Sequence, residues 1–172
     1  MSIDKEIVEE FVGESKKLIH DLVEILESAE GDFSQVQKLE DYGNMVDRIM
    51  GGAKSVAMGA DKDHAAHVVA DYAALCKAVG YKASQIRDNE QFFDICVALL
   101  LDATETLDIL LDRIHEPASE ITKTVPSQFI DRLNWVSSQF KAGFRESVDG
   151  TSDAAKQMSQ DDIDALMKKL GF

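Results

Sequence analysis

The sequence predicts an all-α protein: an antiparallel four-helix bundle with an extra helix and a tethered amphipathic helix at its C-terminal end. Three observations carry this expectation. Apolar residues recur with a 3.6-residue period over long stretches instead of alternating. Only two prolines interrupt a chain of 172 residues. Turn-forming clusters are few and short. With 45% hydrophobic residues the chain can fill a core, and its length suits one compact domain plus an appendage.

The first helix is expected over residues 3–30, with Ser2 as its N-cap and acids in its first turn. Ile7, Phe11, Leu18, Leu22, Ile25 and Leu26 form its apolar stripe, and Gly31 and Asp32 break it. The second helix spans 34–58 and ends at Gly59, Ala60 and Asp61. The third, 62–83, turns Val68, Tyr72, Leu75, Cys76 and Val79 inward. The fourth, 89–114, carries Phe92, Phe93, Ile95, Cys96, Leu99, Leu100, Leu107, Leu110 and Leu111. Residues 1–115 therefore read as the bundle, and 116–148 as a linker and fifth helix. The linker, 115–125, is polar and contains Pro117; Pro126 then opens the helix, with Phe129, Leu133, Val136, Phe140 and Phe144 at helical spacing. That stripe must pack on the bundle or on a second copy of the chain, so a homodimer is one expectation. Residues 149–158 are small and polar, a flexible tether, and 159–172 form the last helix.

Charge narrows the function classes. The net charge is −14 and the pI about 4.6. Nucleic-acid binding needs a positive footprint, and an anionic membrane would repel this chain. No run of about 18 apolar residues suggests a membrane span, and Met1-Ser2-Ile3-Asp4 does not open a signal peptide. Cys76 and Cys96 lie inside apolar patterns and read as buried thiols in a reducing cytoplasm. Met45, Met50 and Met58 read as core, and Trp135 as core or interface. His20, His64, His67 and His115 lack metal spacing: His64 and His67 are three apart without a third ligand.

The second helix holds the most informative stretch. At about 100° per residue, Leu39, Tyr42, Val46, Ile49, Met50, Ala53, Val56 and Ala57 face a core. Glu40, Asp41, Asn44, Asp47, Arg48, Gly51 and Ser55 share the other side, with Asn44 near its middle. One face thus presents a carboxylate, a carboxamide a turn on, a second carboxylate and then two glycines. Each Gly in a helix interior costs about 1 kcal/mol relative to Ala, so Gly51 and Gly52 point to close approach of another surface.

The chain ends with acids in the first turn of a short helix and lysines in its last, as the helix dipole favours. Ser159 with Asp162 three residues on resembles a capping box. Ile163, Leu166, Met167 and Leu170 form one stripe, and Gly171 ends it. A marginal amphipathic helix on a tether suits a ligand for a partner's groove; docking on its own bundle is the other reading, and the residues alone favour neither.

Two resemblances then enter. Phe11 to Leu26, with Asp47-Arg48-Ile49-Met50-Gly51-Gly52-Ala53, resembles the histidine phosphotransfer (Hpt) bundle at the start of the chemotaxis kinase CheA, over residues 3–114. That family carries His-x-x-Lys-Gly-Gly-Ala; here Asp47 stands at the phospho-accepting histidine and Met50 at the lysine. The resemblance implies the docking geometry, with Gly51 and Gly52 on the docking face, and no phosphate relay, because a carboxylate does not pass phosphate on as imidazole does. The tail Asp161-Asp162-Ile163-Asp164-Ala165-Leu166-Met167, closing on Leu170-Gly171-Phe172, is similar to the C-terminal tail of the chemotaxis phosphatase CheZ. There it is the tethered helix that binds the response regulator CheY; similar peptides open flagellar switch proteins. This implies a CheY-like receiver as partner, gripped by Asp161, Asp162, Ile163, Leu166, Met167, Leu170 and Phe172.

Such receivers carry phosphate on an aspartate beside their own Mg²⁺, so no cofactor of this chain is implied. Families that hydrolyse that phosphate resemble one another in inserting an acid and a carboxamide three or four residues apart on one helix. The amide orients water and the acid pairs with the receiver's lysine. Asp41 with Asn44 resembles the three-apart version of the CheC and CheX phosphatases; Glu40 with Asn44 fits the four-apart version of CheZ. Asp47 is a further candidate acid, and Asp131 with Asn134 on the fifth helix is a decoy of the same spacing. The expected function is therefore a CheY-type aspartyl-phosphate phosphatase. The alternatives are a non-catalytic module that sequesters phosphorylated receiver, and a receiver-binding scaffold at the flagellar motor.

Overall fold

A computed structural model of the chain describes residues 3–143 and 160–172. Among them are seven α-helices and no strand: α1 (Lys5–Ala29), α2 (Lys38–Met58), α3 (Ala66–Ala83), α4 (Glu90–Asp112), α5 (Ala118–Ile121), α6 (Ser127–Gly143) and α7 (Gln160–Lys169). No helix of the described residues is long and apolar enough to cross a membrane.

Local chemistry sets the boundaries. The carboxylate of Asp4 accepts from Glu6 N at 2.9 Å, so α1 is capped two residues later than Ser2 would place it. Its buried stripe is Val8, Phe11, Ser15, Ile19, Leu22, Leu26 and Ala29; Ile7 is 51% exposed, so the face is rotated from the expected one. A single turn of 3-10 helix, Phe33–Gln35, precedes α2 and shortens it. The third helix starts four residues late because His64 turns its Nδ1 onto Ala66 N, 3.1 Å away. Residues 115–125, polar in sequence, are tied down: Ala118 N donates to Asp63 O at 2.8 Å, and Ile121 is fully buried. The expected reach of the fifth helix to 148, Phe144 included, and the tether 149–158 lie outside the described residues.

α1 packs on α2 and α4, and α3 packs on the same two, so contacts among the four long helices close a ring. A buried hydroxyl chain links α2 to α4. Thr104 donates to Leu100 O at 2.7 Å, which leaves Tyr42 to donate to Thr104 Oγ1 at 2.9 Å. Lys16 holds α1 to α4 through Asp108 at 2.7 Å and Asp112 at 2.5 Å. Cys76 and Cys96 are buried free thiols, and burial pushes each up to about 12. Met58 is 90% exposed and Trp135 47%, so neither is a core residue, although Trp135 edges against Phe92.

The centre of the molecule is α3, of which only His67, Asp71 and Lys82 escape burial. α6 packs on α4 and brings Phe129 to Tyr72 and Phe140 to Phe92, with ring centres 6.0 and 5.3 Å apart. α7 packs on α3 and α6, burying Ile163, Met167 and Leu170. Of the two readings of the last helix, docking on its own chain is the arrangement seen.

Candidate functional site

The outward side of α2 meets α3 along a polar strip above a tight apolar seam. The seam is reciprocal. A Cβ on Gly43 would lie 2.4 Å from the Tyr81 ring, and one on Gly80 would lie 2.8 Å from the Tyr42 ring. Each glycine thus leaves room for the other helix's tyrosine, which locks the register of α2 against α3. Gly52 lies beneath the Phe11 ring of α1, where a Cβ would be 2.9 Å away, so the close approach there comes from the chain's own first helix. Gly51 faces open space.

On this seam Tyr81 donates its hydroxyl to Asn44 Oδ1 at 2.5 Å. Burial first, and then the carboxylates of Asp47 and Glu40, push the Tyr81 phenol up, so it stays a proton donor. Lys77, whose side chain is 9% exposed, pairs with Asp47 Oδ1 at 2.8 Å, and its ammonium lies 5.8 Å from the Tyr81 ring centre. Asn44 is exposed. One lone pair of its carbonyl is taken by Tyr81; the other, and two N–H donors, remain for a ligand.

The candidate acids are therefore sorted by their surroundings. Asp47 is committed to Lys77. Asp41 is exposed and lines a shallow groove of about 290 Å³ toward α1, with Asp21, Glu24 and Lys38. Glu40, half-buried, lies one turn before Asn44 and close enough to Tyr81 to act on its hydroxyl. The structure gathers Glu40, Asn44 and Asp47 round Tyr81 and leaves Asp41 on the neighbouring groove. Lys77 and Tyr81 were not singled out from sequence. The signal was there: Lys77 stands on the apolar side of a helix whose other charged residues, Asp71 and Lys82, fall on the open side, with a tyrosine one turn on. The decoy residues Asp131 and Asn134 are both exposed on α6.

The tail residues stand elsewhere. Ile163, Met167 and Leu170 are buried where α7 meets α3 and α6, Leu166 and Phe172 are half-buried, and Asp161 and Asp162 fall in the first turn of α7. Lys169 reaches Asp71 on α3 at 3.3 Å. The closing Leu170-Gly171-Phe172 is a helix cap: Gly171 has φ +84°, Phe172 N donates to Met167 O at 2.9 Å, and Gly171 N to Lys168 O at 3.0 Å. No group of three His, Cys, Asp or Glu among the described residues is placed to hold a metal ion. Comparison with known protein families, curated proteins and solved structures finds no match.

Proposed function

We propose that this chain is a cytoplasmic CheY-type receiver phosphatase. Its four long helices form a degenerate, antiparallel Hpt-like bundle, and α7 is its CheZ-like recruiting helix. The observation that carries the reading is the carboxamide of Asn44, exposed but held by Tyr81 at 2.5 Å, with an acid one turn before it. Hydrolysis of an aspartyl phosphate needs a positioned water and charge neutralisation more than covalent chemistry. Water attacks phosphorus, the bond to the receiver's aspartate oxygen breaks, and inorganic phosphate leaves. The receiver, as substrate, brings its own Mg²⁺. Asn44 accepts from the water through its free lone pair and donates through its amide; holding it in place beforehand lowers the entropic cost of the attack.

The acid that meets the receiver's lysine is Glu40 in this reading. Asp47 already neutralises Lys77, and Asp41 serves less well because it faces α1. The test is the single-turnover lifetime of a phosphorylated receiver. Asn44→Ala should slow hydrolysis by about 100-fold or more while affinity holds, because a water-orienting amide acts in the transition state. Asn134→Ala should behave as wild type, and Glu40→Ala should cost more rate than Asp41→Ala. A wild-type rate in Asn44→Ala would remove the site, and a phosphate lifetime that the intact chain never shortens would leave a sequestering module.

A further inference from the structure

The apolar stripe of α7 is single, and the bundle already uses it. Ile163, Met167 and Leu170 are 1%, 5% and 3% exposed in the docked chain, and only Leu166 and Phe172 keep part of their surface open. These are the same anchors that a partner's groove would need, since the opposite side of so short a helix carries Ala165, Lys168 and Lys169. One stripe cannot fill two grooves at once. We propose that the α3/α6 groove is a competing docking surface for the tail, so that a receiver captures α7 only from the fraction of molecules in which it is released.

This inference rests on the receiver reading above, but its first half does not. The groove holds α7 through the buried side chains of Ile163, Met167 and Leu170, and Lys169 pairs with Asp71 at its edge. Ten residues of isolated helix are marginal in water, so released α7 loses helix as well as contacts, and the two states differ in backbone protection. Apparent affinity for the receiver is the intrinsic affinity scaled by the released fraction. Loosening the groove without touching the tail must therefore tighten receiver binding.

Asp71→Lys tests this in the intact chain, because it turns the attraction for Lys169 into repulsion and leaves the tail sequence unaltered. Hydrogen exchange of residues 163–170 reports docking, and titration with a phosphorylated CheY-type receiver reports capture. Amides of the free wild type should be protected, Asp71→Lys should lose protection, and its affinity should rise about threefold to tenfold. The double variant Asp71→Lys with Lys169→Asp should recover protection. Wild-type amides that exchange as in an unfolded peptide overturn the docking itself. Protection lost with affinity unchanged overturns the competition. Protection as expected, with no form binding the receiver, overturns the receiver reading and leaves α7 as a structural latch.

Discussion

α3 is held on one side by α2 and on another by α7, and the two contacts are built in opposite ways. Against α2, two glycines and two tyrosines interlock so closely that neither helix can slide. The polar groups above, Asn44 with Tyr81 and Asp47 with Lys77, inherit that fixed geometry. Against α7, Ile163, Met167 and Leu170 lie on an apolar surface and Lys169 pairs with Asp71 at the edge. A register set by steric exclusion suits chemistry, which fails when a group moves by an ångström. A patch held by apolar burial with polar contacts only at its edge suits exchange between partners.

Substitutions at the glycines break the comparison most sharply. Gly43→Ala would drive a methyl into the Tyr81 ring and should lower stability by about 1–3 kcal/mol, displacing Tyr81 from Asn44. Gly51→Ala, on the same helix with nothing within 4 Å, should raise stability by up to about 1 kcal/mol. Denaturant midpoints of the two variants check the pair, and a Gly43→Ala variant as stable as wild type would show that the seam is not what Gly43 serves.

At the other contact the expected effect is smaller and local. Gly171→Ala forces a methyl into a φ of +84° and should weaken the cap by about 1–2 kcal/mol. Exchange of α7 amides should quicken while the denaturant midpoint for the rest of the chain stays put. A global loss of stability would mean that α7 is as integral as α2.

Tyr81→Phe keeps the ring over Gly43 and removes only the hydroxyl. Stability should change by about 1 kcal/mol or less, while receiver hydrolysis should fall in rate and not in affinity. An equal loss of rate and affinity would argue that Asn44 binds without orienting water.

The smallest effect concerns the start of α3. Burial first, and then the neighbouring imidazoles of His67 and His115, hold His64 below its usual 6.5, with Asp61 opposing. Asp63 lies next to it and accepts, through its carbonyl, from Ala118 N. As pH falls below about 6.5 the unfolded chain takes the proton first, so stability declines. The decline levels off once folded His64 is itself protonated and its bond from Ala66 N is lost. Solvent screening keeps the loss under about 1 kcal/mol. Thermal midpoints between pH 8 and 5 should fall less in His64→Asn than in wild type.

Periodicity alone carried the helical class, the four long helices and most of the core, because burial of one face every 3.6 residues is written in residue order. Leu39, Tyr42, Val46, Ile49 and Ala53 are all fully buried where that period puts them. Gly171 as the stop of the last helix was legible for the same local reason: only the backbone near it matters. Local pattern also proposed Asn44 as the centre of an outward face. What it could not supply was which acid accompanies Asn44, since Glu40, Asp41 and Asp47 are all within a turn of it in sequence. The surroundings of these residues come from α3, about 30 residues away, whose Lys77 pairs with Asp47 and whose Tyr81 holds the amide. Gly43 showed the same limit, its reason being a ring from another helix. The seat of α7 was likewise beyond reach of the pattern: an amphipathic stripe declares that it must be covered, and only the packed chain decides by what.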